Sequence, residues 1–258
     1  MSSFAPDLLS GQVAVVTGSS SGVGRAIALE LAAAGADVIV HAKRNAAGAA
    51  EVASSIEQLG RRSEIILCDL VDQSQHSGLV GNAWSWQGKI DIWVNNAGGD
   101  VLTGEKAGWS FEDKVAYLWQ TDVLATMRLS RFVGGMMRER GRGVIMNMGW
   151  DQAEHGMAGD AGEMFGTIKG AVSAFSRSLA KSLAPQVRVN CLAPGWVKTA
   201  WGAGASEYWQ GRAKLESRLG RWGTPEDVAR AACFLASPAA DFLTGVVLPI
   251  DGGLKQCE

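Results

Sequence analysis

Short unbroken apolar runs alternate along this chain with longer stretches in which apolar residues recur every three or four positions. The first run, Val13-Ala14-Val15-Val16, predicts a buried strand, and behind it Val23, Ile27, Leu31 and Ala34 share one face of a helix. Asp37 to His41 predicts a second strand, with Gly35 closing the helix before it. Asn45 then caps a helix running to about Leu59. Glu64–Cys68 and Ile90–Val94 predict the third and fourth strands, separated by a helix to about Gln87. A single long helical stretch follows from Trp109 to Arg138, then a fifth strand at Gly143–Met148. Gly149 to Met164 reads as a glycine-rich, acidic loop, Phe165–Leu183 as a helix and Val187–Leu192 as the sixth strand. Thr224-Pro225-Glu226-Asp227 has the order of a helix start: cap, proline, first-turn carboxylates. Val246–Ile250 is the last strand. This alternation predicts an α/β fold with right-handed crossovers and a parallel sheet. With no repeat or linker in sight, it predicts a single domain over residues 1–258.

Composition narrows the partners. The chain is 47% hydrophobic with a net charge of −2, which disfavours nucleic acid and anionic membrane surfaces. No apolar run approaches the ~20 residues that span a bilayer. Met1 to Gln12 lacks a secretory pattern, so a cytoplasmic protein is expected. Cys68, Cys191, Cys233 and Cys257 are scattered, without metal-ligand spacing. The first three are expected to be packed thiols, and neither a disulfide nor a metal is expected. Ten tryptophans are many for this length, and Trp196, Trp201 and Trp209 fall close together.

The candidate chemistry begins at Thr17-Gly18-Ser19-Ser20-Ser21-Gly22-Val23-Gly24, between the first strand and the first helix. Glycines on such a turn let a ligand approach the backbone, and the opening helix aims free N–H groups at it, as a pyrophosphate requires. After the second strand, Ala42 stands where an acid would bind ribose hydroxyls, and Lys43 and Arg44 follow. This favours NADP(H) over NAD(H); solvated turn residues are the other reading of the two bases. Asp69, past the third strand, either accepts from an adenine amino group or caps a helix. Small residues in Asn95-Asn96-Ala97-Gly98-Gly99 suit a flat ligand.

The chain resembles the short-chain dehydrogenase/reductase family over nearly its full length. The matching residues are the Thr17–Gly24 turn, Asp69, Asn95-Asn96-Ala97-Gly98, Lys169, Pro194-Gly195-Trp196-Val197-Lys198-Thr199, Gly223 to Asp227 and Asp251-Gly252-Gly253. The resemblance implies a doubly wound Rossmann-type sheet of about seven parallel strands with helices on both faces, a nicotinamide cofactor, and a homotetramer or homodimer. It puts the cofactor on Thr17, Gly18, Ser20, Ser21, Gly22, Val23, Gly24, Lys43, Arg44, Asp69, Leu70, Asn95, Asn96, Ala97, Gly98, Lys169, Pro194, Gly195, Val197 and Thr199.

In that family a tyrosine hydroxyl protonates the carbonyl oxygen, a lysine four residues on assists it, a serine holds the same oxygen and an asparagine supports a water. Lys169 maps to the lysine. Phe165 falls in the tyrosine place, Trp150 in the serine place and Asp122 in the asparagine place. Asp122 shares an apolar helical stripe with Leu118, Ala125 and Leu129, where a carboxylate needs a partner; Lys169 is the expected one. Asp151, Glu154 and His155 are candidate substitute acids, or solvated loop residues. Residues 197–222 fall at the family's substrate lid. Trp196, Trp201, Tyr208 and Trp209 there imply a flat or apolar small molecule, or else packing between subunits. The implied function is an NADP(H)-dependent oxidoreductase with an altered proton relay built on Lys169, Asp122, Trp150, Phe165 and His155. The alternative is a catalytically inactive nucleotide-binding sensor or assembly subunit.

Overall fold

The computed structural model describes residues 4–199, 202 and 204–254. Trp201 and Cys257 lie outside the described residues. Seven parallel strands form one sheet in the order β3-β2-β1-β4-β5-β6-β7. They are β1 (Val13–Val16), β2 (Asp37–Ala42), β3 (Ser63–Leu67), β4 (Ile92–Asn95), β5 (Gly143–Met148), β6 (Val187–Pro194) and β7 (Val247–Ile250). Every residue of β1 is buried, as an apolar run covered on both faces should be. β3, at the edge, is half-buried.

Helices cover both faces. On one side α1 (Gly22–Ala33) and α2 (Ala46–Gln58) share a core cluster with α9 (Pro225–Ala236). On the other, α3 (His76–Gln87), α5 (Ala125–Arg140) and α7 (Asp160–Leu183) enclose a second. A third cluster of Val101, Leu118, Val123, Met164, Ile168, Val172 and Cys191 underlies the site described below. β1 pairs with both β2 and β4, so the chain reverses direction across the sheet there. Ligands of open α/β sheets bind in the crevice this reversal leaves at the strands' C-terminal ends.

Two predicted elements differ. The stretch expected as one helix is α4 (Phe111–Leu118), a π-helical turn at Trp119–Leu124, and α5. The apolar stripe runs through all three, so spacing alone does not reveal the widened turn. The expected loop 149–164 holds a helical turn, α6 (Gln152–His155), and α7 begins at Asp160 rather than Phe165. Asp160 and Glu163 in its first turn favour that start. Between β6 and α9, α8 (Glu207–Glu216) crosses the expected lid. Cys68, Cys191 and Cys233 are buried free thiols. Burial pushes Cys68 up to about 11 and Cys233 up to about 12, away from the reactive thiolate. Among the described residues, no helix is long and apolar enough to cross a membrane.

Candidate active site

The glycine-rich turn is held from below. Thr17 Oγ1 accepts from the backbone N–H groups of Asn96 (3.0 Å) and Ala97 (3.1 Å), joining the turn to the loop after β4. The Asn96 side chain returns the contact, donating to the carbonyls of Thr17 (2.9 Å) and Gly18 (3.2 Å). Gly18 has φ +65°, and a Cβ there would stand 2.9 Å from Ala97 Cα, so only glycine fits. Gly22 has φ +56° and open space where its Cβ would be. Ser21, the cap of α1, makes no side-chain capping bond, and the first turn carries no acid. Unfilled donors at a helix start, beside an opening only glycine leaves clear, fit the pyrophosphate of a dinucleotide.

A cavity of about 350 Å³ extends from this turn over β2 and β3, lined by Gly18, Ser20, Ser21, Ala42, Lys43, Asp69, Leu70, Asn96, Ala97 and Gly98. His41, Cys68, Val71, Tyr117 and Thr121 complete its wall, none of them expected from the sequence as ligand-facing. His41 is 2% exposed, and its Nδ1 accepts the Gly18 N–H at 3.0 Å. Nε2 must therefore carry the proton, and it donates to the Cys68 carbonyl at 3.1 Å. Burial holds this imidazole down at about 4, so it is neutral and pins the turn to β2 and β3. Lys43 Nζ lies 2.8 Å from Asp69 Oδ2, and the other Asp69 oxygen accepts from the Val71 N–H. Arg44 lines neither this cavity nor the next. Asn95, expected against the cofactor, is turned into the sheet. It accepts from Trp93 Nε1 and donates to Ser130 and Asn147, a buried polar set that fixes β4 against β5 and α5.

The second cavity, about 410 Å³, opens beyond β1, β5 and β6. Val23, Asn96, Pro194, Gly195 and Val197 line it, with Lys169, Trp150, Phe165, Trp196 and Trp209. Leu102, Met148, Met157 and Ala161 make the rest apolar. Thr199 lines neither cavity. Trp150 and Phe165 meet edge to face with ring centroids 6.5 Å apart. Lys169 Nζ reaches Asp122 Oδ2 at 2.8 Å and the Met148 carbonyl at 3.3 Å; Asp122 is buried and Lys169 largely so. Asp122 Oδ1 accepts from the Gly99 N–H and the Thr121 hydroxyl, each at 2.7 Å. The π turn carries Asp122, and such turns recur at functional sites.

Behind Trp150 lies a smaller cavity of about 180 Å³, lined in part by Asp151, Glu154, His155, Ser173, Arg177 and Asp251. His155 and Glu154 line this cavity and not the second. Asp151 is buried; its Oδ1 accepts from the Gln152 N–H at 2.8 Å and its Oδ2 has no hydrogen-bond partner. Burial, aided by the charges of Asp251 and Glu216, pushes Asp151 up to about 7.

A parallel sheet with a glycine turn at its reversal point, a crevice along the C-terminal ends of its strands and a helix lysine at that crevice define a dinucleotide-binding fold. The comparisons with known proteins sharpen this. Residues 18–255 match the family described as Enoyl-(Acyl carrier protein) reductase. A cyclohexanol dehydrogenase of Rhodococcus sp. is 35% identical, covering 95% of this chain and 97% of its own. The 7alpha-hydroxysteroid dehydrogenase of Escherichia coli is 34% identical over 96% of both. A solved 7 alpha-hydroxysteroid dehydrogenase, complexed with NADH and 7-oxo glycochenodeoxycholic acid, superposes with a TM-score of 0.88 at 32% identity, over 97% of each chain. A short chain dehydrogenase from Burkholderia cenocepacia in complex with NADP superposes at 0.85 and 30% identity, over 95% of this chain and 98% of the other. The chain belongs to the short-chain dehydrogenase/reductase family.

Proposed function

We propose that this chain is an NADP(H)-dependent oxidoreductase with an altered proton relay, in which Lys169 is kept while Phe165 and Trp150 stand in the tyrosine and serine places. One observation carries the reading: two large rings occupy those places, yet a cavity of about 410 Å³ stays open beside them and Lys169. A protein that only sensed nucleotide would have no use for that space. When bound, the cofactor supplies a hydride.

The chain's residues do the holding. An ammonium has three donors. Lys169 gives one to Asp122 and one to the Met148 carbonyl, leaving the third for a ribose hydroxyl. Phe165 has no proton to give, so the substrate is one that needs none from that position, an enone or a carbon–nitrogen double bond rather than a simple ketone. Ala42, in place of an acid, and the adjacent Lys43 and Arg44 support a 2′-phosphate. Asp69 partly neutralises Lys43, which gives Arg44 a larger share of that role. The reading includes a homotetramer or homodimer; Phe111, Trp119 and Phe132 on α4, the π turn and α5 are each more than a third exposed.

Titration with NADPH and NADH, read by tryptophan-to-nicotinamide energy transfer, tests the cofactor. NADPH should bind more tightly. Lys43→Ala and Arg44→Ala should each weaken NADPH roughly tenfold, as loss of a charged hydrogen bond does, and leave NADH nearly unchanged. Equal loss for both cofactors overturns the 2′-phosphate assignment. Cofactor binding with no turnover of enones, imines or ketones would instead mark an inactive nucleotide-binding sensor or assembly subunit.

A further inference from the structure

Carboxyl groups that the proposed reaction does not use lie behind the aromatic wall of the second cavity. The unpartnered Oδ2 of Asp151, a residue 6% exposed, faces Gly195, which lines the cavity; a Cβ built there would stand 2.9 Å from that oxygen. The same Cβ would stand 2.8 Å from Asp251 Cβ. Glu216, whose charge is paired with Arg212 at 2.5 Å, accepts the Trp196 indole N–H at 2.6 Å, which pushes electron density toward the ring. On the cavity side stand four aromatic rings, Trp150, Phe165, Trp196 and Trp209. Arg212, which does not line the cavity, already lies 5.2 Å from the Trp209 centroid and 5.8 Å from that of Trp196, so these indoles hold a cation. Among the described lining residues only Lys169 is charged, and Asp122 neutralises it at 2.8 Å.

An aromatic chamber whose own cation is cancelled, backed by the carboxyl groups of Asp151 and Asp251, is the setting in which burying a positive charge is least costly. We propose that the second cavity takes a flat organic cation and that the hydride acceptor is an iminium, a carbon–nitrogen double bond bearing positive charge. The inference rests on the oxidoreductase reading above. The step balances without an acid. The hydride pair forms a new C–H bond at the iminium carbon, the C=N π pair becomes the nitrogen lone pair, and a neutral amine results. The reduced nicotinamide is thereby oxidised to its cationic form. No proton is taken from the protein, so a phenylalanine in the tyrosine place removes nothing the reaction uses.

The test uses a cation that binds without reacting. Equilibrium dialysis of the full-length protein at about pH 8, above the range in which Asp151 keeps its proton, compares N-methylisoquinolinium with 2-methylnaphthalene, nearly the same shape without the charge. The cation should bind about tenfold more tightly, the scale of a desolvated cation–aromatic contact. Trp150→Leu and Asp151→Asn should each reduce that preference several-fold, Asp151→Asn leaving the neutral probe unchanged. Equal affinity for both probes, no cation binding at millimolar concentration, or a preference untouched in both variants overturns the inference. NADPH binding and reduction of a neutral enone, measured on the same preparation, separate the two levels. Enone reduced and cation ignored removes the cationic substrate alone, whereas no NADPH binding removes the reading beneath it.

Discussion

Asp122 ties three parts of the site together with one carboxylate: the loop after β4 through Gly99, its own π turn through Thr121, and α7 through Lys169. Asp122→Ala leaves a largely buried ammonium uncompensated and a backbone N–H without its acceptor. The expected loss is about 3–5 kcal/mol in urea denaturation, the range for breaking a buried pair from one side. Asp122→Asn, which can still accept from Gly99, should lose less; equal losses would mean the charge itself is unimportant. The candidate partner could be read from the sequence, because a lone acid in the stripe of Leu118, Ala125 and Leu129 demands one. His41 could not. It ends an apolar strand like any polar residue, and no spacing shows that its ring turns back to accept from Gly18. Asp151 was legible only as one acid among three; that it is buried while Glu154 and His155 are exposed follows from the fold of α6, which the glycine-rich composition hid.

At the scale of elements, the strands and helix starts were largely written in the pattern. The start of α9 is the clearest case. Thr224 Oγ1 accepts from the Asp227 N–H, and the Asp227 carboxylate accepts from the Thr224 N–H at 2.8 Å, closing a capping box. Arg221 and Arg230 hold the same carboxylate and keep it well below the usual range. Thr224→Ala should cost about 1 kcal/mol in urea unfolding, the usual size of an N-cap. Thr224→Ser should restore most of it, and no loss in the alanine variant would show that the arginine contacts alone hold the helix end. The π turn is the opposite case. Its hydrogen-bond register leaves the apolar stripe intact, so nothing in the one-dimensional pattern distinguishes it from continuous α-helix.

For the whole molecule, two buried groups set opposing pH dependences. His41 titrates at about 4 when folded against an ordinary 6.5, so the unfolded chain takes up the proton first. Stability from this group is lost as pH falls from 6.5 toward 4. Asp151 titrates at about 7 against an ordinary 3.8, so the folded chain keeps a proton that the unfolded chain releases. Stability from this group is lost as pH rises from about 4 to 7. Across the shared window the two oppose each other. Asp151→Asn removes one arm, so its urea midpoint should climb between about pH 4.5 and 6.5, while the wild-type midpoint climbs less. Parallel curves would show that Asp151 is ionised in the folded protein throughout.

The two cavities also differ in how much of the chain they need. Every described wall residue of the first lies between Gly18 and Thr121, whereas the second draws on residues from Val23 to Trp209. Chains emerge from the ribosome N-terminus first. The part of the crevice beside the glycine turn therefore has all its residues synthesised while more than half of the chain is still to come, and the aromatic chamber waits for α8. During biosynthesis the glycine-turn side of the crevice is complete in sequence before Lys169 and the aromatic chamber have been made.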